Sequence, residues 1–347
     1  MKRNVTYNKY NVQDFTGKMS RLLKKSVGGY MIITIALNPG IEKRITVDQL
    51  VVGEEHNVLD YQLMIGRSSV YSAYIMRLLQ GDPYVMGFAG GIGGRYIKNF
   101  LDKNRIKSNF VLKDKEMESI FLLRMEGQPD TRFIDHSHQL TQNDAKNFKH
   151  KLIGQLKDTD IILLNGDTLD HMAMSIMIDT MDLVKKEGKR VVLSVEGNDV
   201  ENFVAKKPYA WVVDDGQMEA LGIYGDEEHR IKQLHLFLIT QKIHYAFYPT
   251  EEGVVGVSRN KICKGKLDGM ATKDTDWVKE AIAGGVVMGI KRKYEFERMV
   301  KLASGIACAI NDKTYPNICT RKEIDANMNQ CKIIEYYSKG KYHFEDL

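Results

Sequence analysis

The chain has 347 residues, 43% of them hydrophobic, enough for one large core or two modest ones. Its net charge of +5 is unevenly held: residues 1–30 carry Lys2, Arg3, Lys9, Lys18, Arg21, Lys24 and Lys25 against Asp14 alone, leaving the rest near neutral. That distribution excludes the basic folded face of a nucleic-acid-binding domain, and no apolar run reaches the ~18 residues of a membrane span.

No signal-peptide pattern opens the sequence, so the expectation is a cytoplasmic protein with no nucleic-acid or membrane partner. Residues 1–30 read as a disordered basic extension. Cys263, Cys308, Cys319 and Cys331 have no C-x-x-C spacing, which points to reduced structural thiols rather than a zinc site.

Met31–Leu37 is a buried-strand run stopped by Asn38-Pro39-Gly40. Ile45–Leu50 and Val58–Met64 alternate like strands of a half-exposed sheet. Gly66-Arg67-Ser68-Ser69-Val70-Tyr71 leads into a helix through Leu79. Tyr84–Phe88 is a strand, and Gly90-Gly91-Ile92-Gly93-Gly94 opens the helix Arg95–Lys103. Taken alone, those glycines read as a phosphate-cradling loop. As a dinucleotide fingerprint they fail, because the sixth position from Gly91 is Tyr96.

Ser119–Arg124 and Arg132–Asp135 flank a turn at 127–130. Leu152–Leu156 closes a helix, and Asp160–Leu164 is a buried strand running into Asn165-Gly166-Asp167-Thr168. Helix Met172–Glu187, with Gly188 as its C-cap, and strand Arg190–Val195 form one α–β unit whose methionines fill core. Trp211–Val213, Leu236–Thr240, Ala246–Tyr248, Val254–Ser258 and Lys332–Glu335 read as further strands, and Leu302–Ile310 as the closing helix. Asp215 and Glu219, four residues apart, either share a magnesium ion or simply mark a solvated helix start.

Residues 269–288 read GMATKDTDWVKEAIAGGVVM: a polar segment ending in Asp276, then a helix with Ala281, Ala283, Gly284 and Gly285 as its small residues. A carboxylate at a helix start lies beside unpaired amides, where it can take a proton while the amides hold a phosphoryl group. This stretch resembles the signature of the ribokinase-like (PfkB) carbohydrate kinases, Gly-Ala-Gly-Asp followed by a small-residue helix. Here Lys273, Asp274 and Thr275 precede the aspartate. Leu37–Glu42 (LNPGIE) is similar to the opening of the 1-phosphofructokinase and tagatose-6-phosphate kinase branch. The order of elements follows that family over about residues 31–336.

The resemblance implies an α/β fold: a ribokinase-like doubly wound sheet with helices on both faces and a small β-sheet lid from about 41–64 and 118–135, followed by a tail at 337–347. It casts Asp276 as the catalytic base and Glu42, Gly66, Arg67, Ser68, Tyr71 and Asn165 as substrate-binding. Thr240, Gln241, Lys273, Asp274, Thr275 and Gly305 fall at nucleotide positions.

Departures from the family pattern are spread over five patches: Ser68 and Tyr71, Glu118, Asp167 and Thr168, Gln241 and His244, and residues 273–275. Loss of one transition-state donor costs ~10²–10³ in rate. The expectation is therefore a sugar-phosphate kinase homologue with lost or strongly reduced phosphotransfer and a binding or regulatory role. It would take a sugar phosphate as ligand, no ATP or magnesium, and form a homodimer through the lid. The alternative is an active kinase using ATP and magnesium, with Asp276 as base and Lys273 or Arg67 supplying lost contacts.

Overall fold

The computed structural model describes residues 31–66, 70–135, 139–166, 171–197, 199–268, 277–311, 313 and 318–344. The chain opens with strand β1 (Met31–Ala36), then the pair β2 (Ile41–Thr46) and β3 (Asp60–Ile65). Helix α1 (Val70–Leu78), β4 (Pro83–Gly90), α2 (Gly91–Lys103) and β5 (Lys107–Lys113) follow. A second pair, β6 (Ser119–Arg124) and β7 (Thr131–Asp135), precedes α3 (Gln142–Leu156), β8 (Thr159–Gly166), α4 (His171–Lys186) and β9 (Arg190–Val195). Then come α5 (Val200–Val204), β10 (Ala210–Val212), α6 (Asp215–Ala220), α7 (Glu227–Gln241) and the meander β11 (Tyr245–Thr250), β12 (Gly253–Ser258) and β13 (Lys261–Lys266). The chain ends with α8 (Val278–Lys291), α9 (Phe296–Asn311), α10 (Arg321–Gln330), β14 (Lys332–Ser338) and β15 (Lys341–Tyr342).

Eleven strands form the main sheet, in the order β15-β14-β13-β12-β11-β10-β9-β8-β1-β4-β5. From β11 to β5 all neighbours are parallel; β11 to β15 pair antiparallel. Continuous apolar runs such as MIITIA and TDIILL suit strands covered on both faces. Helices α1, α2, α8, α9 and α10 contribute to one core layer, and α3 to α7 to the other. Alternation along β1 shows the division: Ile32 and Ala36 face the first layer, Ile33 and Ile35 the second.

Beside β1 the strand order reverses, with β4 and β5 on one flank and β8, β9 and β10 on the other. Ligands of open α/β sheets bind outside the carboxyl ends of the strands at such a switch point. The lid sheet, ordered β3-β2-β6-β7, leaves the main sheet at this edge, because β2 follows β1 and β6 follows β5. Its central pairing, β2 with β6, is parallel.

The small residues of α8 are explained by its depth, since every position from 280 to 290 is buried. A Cβ on Gly284 would stand 2.6 Å from the Ser72 carbonyl oxygen of α1, and one on Gly285 would overlap the Ile306 side chain of α9.

Four expectations need correction. The first lid strands are Ile41–Thr46 and Asp60–Ile65 rather than Ile45–Leu50 and Val58–Met64; Leu50 and Val58 are exposed loop residues. Leu236–Thr240 is helical, lying inside α7, because Ile231, Leu234 and Leu238 recur at helical spacing and are buried on one side. Strand β13 went unread between β12 and the polar segment. The tail at 337–347 is not separate: β14 extends to Ser338, β15 pairs with it, and Phe344 packs 4.9 Å from Tyr336.

Candidate functional site

Polar side chains stand in and just beyond the carboxyl halves of β1, β8, β9 and β10, strands otherwise built of apolar runs. Asn165 and Ser194 are register partners on β8 and β9, and Thr34 of β1 lies on the same face. All three are buried, and Asn165 Oδ1, Ser194 Oγ and Thr34 Oγ1 have no hydrogen-bond partner among the described residues. Asn165 Nδ2 donates to Ser72 Oγ at 2.9 Å, and Ser72 Oγ donates to the Glu280 carbonyl at 2.6 Å. That relay ties the end of β8 to the first turns of α1 and α8.

Two charged residues stand in that first turn of α8, a helix whose N-cap, Trp277, makes no side-chain cap bond. Burial, together with the Glu196 carboxyl beside it, raises the Glu280 carboxyl well above its ordinary value of 4.5. Glu280 Oε2 is buried and has no partner among the described residues. Lys279 turns the other way: its ammonium donates to the Val195 carbonyl at 2.6 Å, to Gln217 Oε1 at 2.9 Å and to Asp214 Oδ2. Three N–H donors meet three oxygens at the ends of β9 and β10.

Beneath the lid, Asn38 follows β1 and donates to Glu118 Oε2 at 3.0 Å, while Asn38 Oδ1 is buried with no partner among the described residues. Glu42 is buried at the base of β2 and accepts from Arg44 Nε at 2.5 Å. The Gly66 amide donates to the Gly40 carbonyl at 3.0 Å, closing the β2–β3 pair. The crevice thus offers amide and carboxylate acceptors, with Arg44 as a cation.

The glycine-rich helix start is already occupied. The Glu116 carboxylate accepts from the Ile92 amide at 2.7 Å and the Gly93 amide at 2.6 Å. Gly91, at φ +59, and Gly93 have no room for a Cβ beside that carboxylate. These glycines serve an internal anion at the head of α2.

The residues expected at the site divide three ways. Glu42, Gly66 and Asn165 lie at the strand ends and lid base. Tyr71 sits in the core: its hydroxyl donates to the Ile65 carbonyl at 2.8 Å and its ring stacks on Trp277 at 4.7 Å. Arg67, Ser68, Lys273, Asp274, Thr275 and Asp276 lie outside the described residues, as do residues 1–30, Asp167 and Thr168.

Three nucleotide expectations are corrected. Thr240 and Gln241 end α7 just before β11 begins, at the amino edge of the parallel strands and so opposite the crevice. The neighbouring His244 amide bonds the Tyr209 carbonyl ahead of β10, which fixes that edge. Gly305 faces α10, where a Cβ would stand 2.8 Å from Met328 Cγ; its glycine serves helix packing. Asp215 pairs with Arg230 and accepts from the Tyr248 hydroxyl at 2.6 Å, so the Asp215–Glu219 spacing has a structural explanation.

Sequence reading missed Lys279, Glu280, Glu196 and Glu116. One signal was available: adjacent Lys-Glu inside the apolar run of residues 277–290 is costly to bury unpaired.

No family model matches the chain. A tagatose-6-phosphate kinase of Staphylococcus epidermidis is 24% identical over 174 residues, 50% of this chain and 56% of that protein. A 1-phosphofructokinase of Borreliella burgdorferi is 23% identical over 166 residues, 46% of this chain and 54% of that protein. Over about half its length the chain is similar to these two sugar-phosphate kinases. It spans about half the length of the curated relatives it matches. The fold agrees over a longer span. Phosphofructokinase-2 from Escherichia coli, solved with substrates and products, superposes with a TM-score of 0.76 at 14% identity, covering 86% of this chain and 98% of that one. The described residues therefore share the fold of that phosphofructokinase.

Proposed function

We propose that this PfkB-like chain binds a sugar phosphate at the carboxyl edge of its sheet and has lost, or strongly reduced, phosphotransfer. The observation that carries the reading is the first turn of α8. Lys279 is consumed by three protein oxygens, and Glu280 is buried against Glu196. A base must be ionised and in reach of the hydroxyl it deprotonates, and a phosphate-binding cation must have free donors. Lys279, with its donors committed, does not meet the second condition, and burial with Glu196 beside it disfavours the ionised form of Glu280. Retained sugar binding is supported by Asn38 Oδ1 and Asn165 Oδ1, acceptors at the switch point with no partner among the described residues, which suit the hydroxyls of a polyol.

The direct test combines calorimetry with a coupled assay for ADP. Fructose 1-phosphate, fructose 6-phosphate or tagatose 6-phosphate should bind without sugar-dependent ADP release from magnesium and ATP. ADP release that disappears in Asp276→Ala would overturn this and make the protein an ATP- and magnesium-dependent kinase with Asp276 as base.

The same reading includes a homodimer through the lid. Tyr61, Phe133 and Ile134 expose 53%, 56% and 46% of their surface there, and β7 is exposed along its length at the sheet's edge. Light scattering at micromolar concentration should give twice the chain mass; a monomeric mass would count against it. Cysteines that form no disulfide among the described residues accord with a reducing, cytoplasmic location.

A further inference from the structure

We propose that the Lys279 ammonium is a built-in monovalent cation, filling an oxygen cage at the ends of β9 and β10 that a free monovalent cation would otherwise occupy. The cage walls are set by bonds of their own. Asp214 caps α6 through its other carboxylate oxygen, which accepts from the Gln217 amide at 2.8 Å. Gln217 is 1% exposed, and its Nε2 donates to the Val195 carbonyl at 2.7 Å. With that nitrogen committed to the strand end, Oε1 is the atom turned to the lysine.

A main-chain carbonyl, an amide oxygen and one carboxylate are hard oxygen donors bearing a single formal charge. Such a set suits a singly charged cation; magnesium demands near-ideal octahedral geometry and more anionic charge. An ammonium group fills it with one N–H per oxygen, and the tether from α8 gives that cation a high effective concentration. The Val195 carbonyl accepts from both Lys279 and Gln217, so cation and cage wall are held at one point. The cation also lies one residue from Glu280, where the relay from Asn165 and Ser72 ends.

Thermal unfolding of the full chain, without sugar phosphate or ATP, tests this directly. Wild type, Lys279→Ala and Lys279→Gln would be melted in about 0.1 M tetramethylammonium, potassium or ammonium chloride, which holds screening constant. Wild type should melt within about 1 °C in all three salts, whereas Lys279→Ala should melt roughly 4 °C or more lower in tetramethylammonium. Potassium or ammonium should return at least half of that loss to Lys279→Ala.

Failure of both ions to restore Lys279→Ala would overturn the proposal, reducing Lys279 to a salt-bridge partner. A wild-type gain of several degrees from potassium would also overturn it, because the cage would then be open. Should Lys279→Ala not fold, Lys279→Gln is read in the same salts, and the wild-type comparison stands by itself. These assays involve no phosphosugar, so their failure leaves the binding proposal intact, while ADP release would sink that proposal and leave the cage untouched.

Discussion

Two helices, α2 and α8, present their amino ends to the same edge of the sheet, and each meets it differently. At α2, Glu116 brings a carboxylate to two backbone amides, and glycines make room for it. At α8, the N-cap residue Trp277 makes no side-chain cap bond, and Lys279 sends a cation into the oxygens of β9, β10 and α6. One end has an internal anion and the other an internal cation. A helix start is an anion site only while its amides are free. The lesson is that a glycine-rich turn shows that something approaches the backbone closely, without saying whether that is a phosphate or the chain itself.

The largest effect should come from the packing that holds α8 in place. Gly284→Ala puts a Cβ against the Ser72 carbonyl at 2.6 Å, an immobile backbone atom. A loss of about 2–3 kcal/mol in urea unfolding is expected. A neutral outcome would mean that α8 shifts freely, and the contrast between the two helix starts would then lose its geometric basis.

Uncapping α2 comes next. Glu116→Ala frees two amides and should cost about 1–2 kcal/mol. Inorganic phosphate or sulfate should recover part of that in the variant and none in wild type, read as a shift in melting temperature. Equal anion effects on both would show that Glu116 does not fill the helix start.

The smallest effect concerns Glu280, and it depends on pH. Its folded carboxyl titrates well above the ordinary 4.5, so the native chain keeps a proton that the unfolded chain releases. Stability contributed by this group is therefore full below 4.5 and falls as pH rises towards the raised value. Glu280→Gln should remove that decline and raise the melting temperature at pH 8 by roughly 2 °C, with little change at pH 4. A parallel loss at both pH values would mean that the carboxyl is needed in its charged form.

Much of this fold was legible without coordinates. MIITIA, TDIILL and RVVLSV are apolar enough on both faces to demand a central parallel sheet, and the helix His171–Lys186 with Gly188 marks one crossover cleanly. Reading failed where two periods compete. LHLFLIT looks extended by its β-branched and aromatic residues, yet its buried positions, Leu234, His235 and Leu238, follow the helical period.

The candidate site was legible only at its rim. Glu42, Gly66 and Asn165 stand beside turn signals that anchor them to strand ends, so their position followed from local sequence. Thr240 and Gln241 were misplaced because a helix taken for a strand exchanges one edge of the sheet for the other. Gly305 reads equally well as a ligand wall or as helix packing, since both require the absence of a side chain; only the Met328 side chain, 23 residues on, distinguishes them.

By itself, the sequence determined the layers, because hydrophobic period and turn chemistry act over a few residues. It carried the resemblance to the ribokinase-like fold as well, through the order of those elements. Tertiary structure decided which charges meet. Glu116 reaches Ile92 across 24 residues, Lys279 reaches Asp214 across 65 and Val195 across 84, and Asn165 reaches Ser72 across 93. Whether a carboxylate or an ammonium is free for a ligand depends on such partners. No local pattern encodes them, because hydrogen bonds and desolvation act through space, not along the chain.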